Sequence, residues 1–563
     1  MSNVAPEMLA LPCFYRWEKT APGRTALTQP MGHDAVREFT WAEVADQVRR
    51  MASHLKAQGW EPGAKVAILS KNCAWWIMSD LAIWMAGYVS VPLYPTLAHG
   101  TIAQILAHSG ARACFVGKLD GWESMKPGVP AGLPCIGFPV SPSDAIACYD
   151  GWDAICARNP PLGGEPTRAA DELATLIYTS GTTGKPKGVM HTFGSFAWAL
   201  DKGIKRIDLT EADRMLSYLP LAHVVERVLV EHGWLRTGMH VYFADTLDTF
   251  AADMRRARPT VFFSVPRLWL KFQHAVLHEL PAPRLDRLLS IPLVGGLVRR
   301  KVLKTLGLDR CRLAAGGAAP MPVELLAWYR RIGLPINEGY GLTENLAVSH
   351  LTLPGHDQTG TVGPPYDGVD CRIDPASHEI QMRSGALMEG YYLEPAQTRE
   401  AFTADGWLRT GDLGEIDAHG LLRVTGRLKD LFKTSKGKYV APAPIEDRLV
   451  MHDAVDACIV TGANLSQPLA IAILTAEATE RLGDPVKKAA LETSLGQHLD
   501  EINRSLDPHE RLECLVVATL AWTVENDIIT PTFKIKRNRI EEIYGRDYAG
   551  WEASGRKVIW QSG

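Results

Sequence analysis

The stretch from Ile177 to Val189, IYTSGTTGKPKGV, constrains this chain more than any other. It overlaps the end of Leu173–Tyr178, an apolar run with the length and composition of a buried strand. Thr179, Ser180, Thr182 and Thr183 then alternate with Gly181, Gly184 and Gly188. Glycines let a backbone turn tightly and bring its N–H groups close to a ligand, and successive N–H groups in such a turn form an anion-binding concavity. The hydroxyls add donors, Lys185 and Lys187 add charge, and Pro186 stiffens the loop. A strand that ends in this way suits a polyphosphate. The ordinary alternative is a plain surface loop. A Walker A loop is excluded, because Pro186 follows Gly184-Lys185 where that motif needs Ser or Thr.

Ahead of this loop, helix and strand signals alternate. Thr40–Gln58 has helical periodicity, Lys65–Ser70 reads as a strand and Ala74–Ala86 as an apolar helix. Val89–Tyr94 and Ala113–Val116 read as further strands. Such alternation predicts parallel sheets with helices on their faces. Trp75–Val91 comes nearest to a membrane span, but Asp80 and Gly87 interrupt it and a bilayer needs about 20 apolar residues. It is expected to be a buried helix running into a strand, and no transmembrane segment is expected. Arg158–Asp171 is rich in Pro and Gly and reads as a surface linker.

Composition limits the function classes. In a chain of 563 residues two or more domains are expected. Its 46% hydrophobic and 22% charged residues are those of a soluble globular protein, and a net charge of −3 gives no reason to expect a nucleic-acid partner. The 10 cysteines show no C-x-x-C spacing, so free thiols in a reducing compartment are expected. The N-terminus lacks a basic region before an apolar core, so no signal peptide is expected.

Beyond the loop, Leu216–Arg227 (LSYLPLAHVVER) places His223 after an apolar-proline turn, as either a core or capping residue or a functional one. Pro259–Phe272 reads as a strand stopping at Pro266 and leading into a helix. Arg284–Leu306 is apolar and basic, with breaks expected at Pro292 and at Gly295-Gly296. Its second half puts Val298, Val302, Leu303 and Leu306 on one face beside Arg299, Arg300, Lys301 and Lys304. That segment is either a solvated helix packed on its own domain or an interfacial helix on anionic lipid.

Two glycine-rich turns follow, LAAGGAAP (313–320) and NEGYGLTE (337–344). The first would pass close under a flat base. In the second, the aromatic face of Tyr340 suits adenine, and the Glu344 carboxylate suits Mg2+ that also takes substrate phosphates. Gly406–Asp417 and Leu421–Asp430 read as hairpin strands, with Asp412 either holding vicinal ribose hydroxyls or capping its own turn. Lys433–Lys438 is a basic, flexible loop, and a small α+β domain follows, ending in Asp527–Asn538.

In this order the pieces resemble the adenylate-forming (AMP-binding) superfamily over nearly the whole chain. LPLAHVVER, FFSVPRLWLKF, GLDRCRLAAGGAAP and GRLKDLFKTSKGKYVAPAPIE resemble its long-chain fatty acyl-CoA synthetase branch. The resemblance implies an α/β fold: a large N-terminal domain of stacked α/β layers with a β-barrel-like subdomain (1–428), and a small α+β C-terminal domain (429–563) hinged near Lys429. Residue by residue, Thr179, Ser180, Gly181, Thr182, Thr183, Gly184 and Lys187 would hold the β- and γ-phosphates of ATP. Gly316, Gly317, Ala318, Tyr340 and Gly341 would frame adenine, and Asp412 and Arg427 would hold the ribose. Thr343 would contact the α-phosphate and Glu344 would bind Mg2+. Lys534 matches the catalytic lysine, although Thr532-Phe533 precede it where many members have a glycine, and Lys536 is the neighbouring candidate.

The implied reaction activates a fatty acid as acyl-AMP and transfers it to coenzyme A. Between the steps the C-terminal domain rotates to bring the loop with Lys436 and Gly437 to the site. An acyl tunnel is expected along Leu219–Trp234 and Phe262–Phe272, with His223 at its mouth. The expected partners are fatty acid, ATP and CoA in the cytoplasm. A homodimer and peripheral membrane contact through Arg299–Lys304 are further expectations. Three rivals stand beside this reading. One is a fatty acyl-AMP ligase serving a carrier protein, and another a synthetase for a different hydrophobic acid. The third is a nucleotide-binding regulator without catalysis, against which Glu344, Asp412 and Lys534 argue. An amino-acid-activating domain would want an acid to pair the substrate ammonium, and Leu221-Ala222-His223 offers none.

Overall fold

A computed structural model describes residues 4–32, 35–180, 186–353, 355–356, 358–523, 526, 528–530 and 534–561. Its largest sheet has eight strands, in the order Gly390–Tyr391, Pro186–Thr192, Leu173–Ser180, Val89–Leu93, Lys65–Leu69, Ala113–Val116, Cys135–Gly137, Asp150–Gly151. From Leu173–Ser180 to the Asp150 edge all neighbours run parallel, as the continuous apolar runs require of strands covered on both faces. A second sheet orders Val261–Ser264, Leu313–Gly316, Ile336–Tyr340 and His350–Leu351. A third joins Arg214–Ser217 and His240–Phe243 to the N-terminal strands Thr25–Pro30 and Val36–Thr40. The subdomain expected to be barrel-like is built on an antiparallel four-stranded sheet of Asp370–Ile373, Glu379–Arg383, Leu408–Ile416 and Leu422–Arg427.

The expected helices form for identifiable reasons. Thr40 caps the helix Trp41–Ala57 in a reciprocal box, its hydroxyl accepting from the Glu43 N–H (3.3 Å) while the Glu43 carboxylate accepts from the Thr40 N–H (2.7 Å). Ala74–Met85 is buried along its whole length. Its Asp80 is held by Arg227, whose guanidinium also meets Glu231 (3.0 Å) and the Thr175 hydroxyl (3.0 Å). All three charged side chains are fully buried. Two acids around one arginine cannot both be ionised cheaply. Burial and the neighbouring Asp80 accordingly push Glu231 well above the carboxylate range. Arg227 also opens a π-helical turn, Arg227–His232, that lies against Phe196 and Trp84.

Two expectations change. Gly295 and Gly296 do not break the basic segment. Its helices are Ala282–Ser290 and Val294–Thr305, and the break falls at 291–293, where Leu293 has φ +67°. Gly295 sits where a Cβ would lie 2.5 Å from the Leu289 carbonyl oxygen, so glycine there lets the two helices cross closely. Residues 158–171 are not wholly superficial either. Arg168 is buried, donates to the Tyr88 carbonyl (2.8 Å) and lies 5.0 Å over the Phe193 ring.

The C-terminal segment builds its own sheet, Val455–Thr461, Leu469–Leu474, Leu515–Val517 and Val558–Trp560, over the helix Pro485–Arg504. It meets the rest of the chain through Val450 and Met451, which pack on the core containing Trp269 and Tyr329, and through an Arg267–Asp456 ion pair. No helix among the described residues is long and apolar enough to cross a membrane.

Candidate active site

The carboxyl ends of Leu173–Ser180, Val261–Ser264, Leu313–Gly316 and Ile336–Tyr340 open into a cavity of about 1610 Å³, closed by the 408–427 hairpin and by Thr530, Lys534, Ile535, Lys536 and Arg537. Ligands of open α/β sheets bind outside such strand ends. Thr179, Ser180, Pro186 and Lys187 stand in register across the antiparallel pair that carries the phosphate-loop motif. Gly181, Thr182, Thr183, Gly184 and Lys185 lie outside the described residues.

Close backbone approach explains the glycines of the other two motifs. A Cβ on Gly317 would meet the Gly339 carbonyl oxygen at 2.7 Å, and one on Gly341 would meet the Ala347 backbone at 2.5 Å. Ala318, Leu346 and Ala347 hold φ values of +67°, +54° and +57°, and all three line the cavity. Strain of this kind collects at functional sites.

The polar wall is a connected web. Asp412 pairs with Arg427 (2.9 Å) across adjacent strands and accepts from the Tyr340 hydroxyl (2.7 Å). Lys534 reaches the same place. Burial and Arg427 lower its pKa, while Asp412 and Glu344 act to raise it. Its neighbour Lys536 also lines the cavity, at the start of the helix Arg537–Tyr544. His223 caps the turn Val224–Glu226, its Nδ1 accepting from the Val225 N–H (3.3 Å), and it faces the cavity too. Burial and the Lys534 charge push His223 down to about 4, so it is a neutral ring. The capping expected of this histidine is present, and its ring also lines the cavity.

Thr343 and Glu344 form a short turn fixed from behind. The Thr343 carbonyl accepts from His191 Nε2 (2.7 Å), and Glu344 Oε1 accepts from the Tyr391 hydroxyl (2.8 Å), whose ring carries the Lys187 ammonium at 5.0 Å. Sequence reasoning missed Tyr391 and His191, because each reaches the motif from a distant strand. It also missed Glu338, a carboxyl held up to about 8 by burial that lines the cavity opposite Asp447, likewise at about 8. Glu338 stood inside NEGYGLTE, and its charge beside Gly339 was the available signal. Lys436 and Gly437 are not brought to the cavity. They sit in an exposed turn closed by the Thr434 N–H to Lys438 carbonyl bond (2.9 Å).

An apolar limb leaves this polar chamber. Strand residues alternate faces, so Val261, Phe263, Leu313 and Ala315 line the cavity while Phe262 and Ala314 turn into the core with Trp269. Val224, Val225, Val228 and Leu229 line it from the π-helical side, and Gly203 and Ile207 from the helix Phe193–Ile207. The tunnel expected along Phe262–Phe272 is corrected accordingly: only Phe263 of that stretch lines the cavity. Trp269, Leu270 and Phe272 pack in the separate core because the helix from Pro266 turns its apolar side toward Tyr329. Trp234 stacks on Trp41 (centroids 4.2 Å apart), also away from the limb.

An AMP-binding enzyme model matches residues 14–392, and an AMP-binding enzyme C-terminal domain model matches 429–547. Long-chain-fatty-acid–CoA ligase FadD15 of Mycobacterium bovis is 30% identical over 91% of each chain. Long chain acyl-CoA synthetase 3 of Arabidopsis thaliana is 27% identical over 92% of this chain and 87% of its own. Among solved structures, the A domain of carboxylic acid reductase from Segniliparus rugosus, in complex with AMP and a co-purified carboxylic acid, has a TM-score of 0.78. It is 24% identical and covers 96% of this chain and 93% of that one. The anthranilate CoA ligase AuaEII with anthranoyl-AMP has a TM-score of 0.76 at 22% identity, covering 95% and 97%. At these identities the two structures bear on the fold.

Proposed function

Since the chain belongs to the AMP-binding enzyme family, we propose that it is an AMP-forming long-chain fatty acid–CoA ligase. It converts a fatty acid, ATP and CoA into acyl-CoA, AMP and pyrophosphate. One observation carries the reading: a single cavity joins an apolar limb to the cluster of Lys534, Asp412 and Glu344.

The acid's tail lies in the limb along Val261, Phe263, Leu313 and Ala315, and its carboxylate emerges near His223. A neutral His223 presents no competing cation there, which leaves the carboxylate to Lys534. The Lys534 ammonium bridges that carboxylate and the α-phosphate, holding two anions in line that would otherwise repel. Asp412 and Arg427 hold the ribose, Tyr340 and the 316–318 turn hold the base, and Thr179–Lys187 hold the β- and γ-phosphates. The carboxylate oxygen attacks the α-phosphorus, the bond to the bridging oxygen breaks, and pyrophosphate leaves. A CoA thiolate then attacks the acyl carbon and AMP departs. For that step the 429–563 domain swings about Lys429, withdrawing Lys534 and bringing up Lys436 and Gly437.

Among the described residues no cluster of three or more His, Cys, Asp or Glu side chains could hold a metal. Glu344 is a lone carboxylate with one oxygen engaged by Tyr391. That fits Mg2+, which takes one or two carboxylates and completes its shell with phosphates and water. Held by Glu344, it would neutralise charge on the departing phosphates. The enzyme works in the cytoplasm, a reading supported by ten cysteines that are all free thiols.

The deciding assay is pyrophosphate release with ATP, Mg2+ and fatty acids of graded length, with and without CoA. Turnover that requires CoA and yields acyl-CoA is expected. Acyl-AMP accumulating despite CoA would instead identify a ligase serving a carrier protein, and no release with any fatty acid would overturn the substrate class.

A further inference from the structure

Large apolar side chains on a soluble surface are normally scattered. Here four of them crowd one tip: Leu293 is 90% exposed, Leu297 69%, Ile291 41% and Val294 37%. They cap the junction between the helices Ala282–Ser290 and Val294–Thr305. Leu293 holds φ +67° and ψ −48°, a γ-turn closed by the Val294 N–H to Pro292 carbonyl bond (2.8 Å), which costs a leucine energy and suits glycine better.

The charges around the tip are of one sign. Between 282 and 305 the sequence has six basic residues (Arg284, Arg287, Arg299, Arg300, Lys301, Lys304) and one acid, Asp286, in a chain whose net charge is −3. Asp286 is already paired with Arg331 (2.6 Å). On the second helix Leu297, Arg300, Lys301 and Lys304 follow the i, i+3, i+4, i+7 spacing of a single face, and all four are exposed. The opposite face, Val298, Val302, Leu303 and Leu306, packs on the protein's own core, and Arg299 turns back to donate to the Arg331 carbonyl (3.0 Å). The apolar stripe of the sequence is therefore the inner face, packed on the protein's own core. The outward face has an apolar end and a cationic end.

We propose that this tip docks on an anionic phospholipid bilayer, with Ile291, Leu293, Val294 and Leu297 entering the acyl boundary and Arg300, Lys301 and Lys304 at the headgroups. Layering along the helix decides for lipid. The apolar residues lead and the cations follow one to two turns behind, which matches the depth order of an interface. Lipid binding by the tip does not depend on what the cavity catalyses.

The test is co-sedimentation of the full chain with vesicles of phosphatidylcholine and phosphatidylglycerol in a two-to-one ratio, and with phosphatidylcholine alone. The wild type should bind the mixed vesicles, weaken with salt and bind the neutral ones roughly tenfold less. The triple variant Arg300→Glu/Lys301→Glu/Lys304→Glu and the double variant Leu293→Asp/Leu297→Asp should each lose binding roughly tenfold or more. Leu293→Gly suits the local backbone, so its fold is secure, and it should still bind more weakly than wild type. Unchanged unfolding midpoints would show that the variants are folded. Wild type that stays off mixed vesicles overturns the proposal, as does a double variant that binds as well as wild type. So does a wild-type dimer that Leu293→Asp/Leu297→Asp converts to monomer, since a second copy would then cover the tip.

Discussion

Asp412 and Glu344 oppose the lowering of the Lys534 pKa that burial and Arg427 bring about, so this ammonium is set between the two acids assigned to ribose and magnesium. Lys536 shares the cavity wall, but stands at the N-cap of the helix Arg537–Tyr544. Lys534→Ala should therefore lower acyl-AMP formation by roughly 10²–10³-fold while acyl-CoA still forms from supplied acyl-AMP. Lys536→Ala should leave the first half-reaction near wild type. Pyrophosphate exchange and thioester assays read the two halves separately, and the reverse result would move the assignment to Lys536. A second residue couples the site wall to pH. Glu226 Oε1 accepts from the Ser217 hydroxyl (2.8 Å), the Tyr218 N–H (3.0 Å) and the Asn72 amide (3.2 Å), yet burial raises its pKa from 4.5 to about 8. The folded state thus holds a proton that the unfolded chain has released. Its stabilising contribution is complete below about pH 4.5 and lost as pH climbs through about 8. Glu226→Gln retains an acceptor oxygen without titrating, so its urea midpoint should fall less than the wild type's across that window.

The apolar limb of the cavity is a property of elements. Strands Val261–Ser264 and Leu313–Gly316 give alternate residues to it, and the helix Phe193–Ile207 gives Gly203, whose absent Cβ would meet nothing within 4 Å. A glycine inside a helix costs roughly 1 kcal/mol relative to alanine, so its worth here is room. Gly203→Leu should leave stability equal or higher and shift the preference toward shorter acids. Each methylene displaced from the limb is worth about 0.8 kcal/mol, or roughly fourfold in kcat/KM. Product chain lengths by mass spectrometry check this, and an unchanged profile would remove Gly203 from the limb. Much at this scale was legible beforehand. Ala113–Val116 is a strand at its expected bounds, and Trp41–Ala57 and Ala74–Met85 fall within a residue of theirs, because buried runs and capped periodic stretches mark themselves locally. Period-2 alternation divides Val261–Ser264 into two faces, but it cannot say which face meets the cavity and which meets Trp269. Tyr391 was equally hidden, since nothing near it in sequence indicates that it ends at Glu344.

The molecule as a whole closes its site from two segments. Lys534 enters from beyond residue 429, and the seam that admits it rests on Val450, Met451 and the Arg267–Asp456 pair. The pair is partly exposed, so its share is modest. Arg267→Glu should lower acyl-AMP formation about two- to fivefold and leave thioester formation from supplied acyl-AMP unchanged or faster. The charge swap Arg267→Glu/Asp456→Arg should restore the balance. Small-angle scattering should show the single variant more extended than the swap, and an equal loss in both half-reactions would mean that the pair does not favour this arrangement. Deeper in the same body, Arg227 with its two acids limits how the sequence can drift. Shedding Glu231 or Asp80 first leaves one guanidinium facing one carboxylate, whereas shedding Arg227 first strands two acids in apolar surroundings. A lineage leaving this triad has a passable route in one order of substitution and a barrier in the other, so descendants should be found with one acid missing far more often than with the arginine alone replaced.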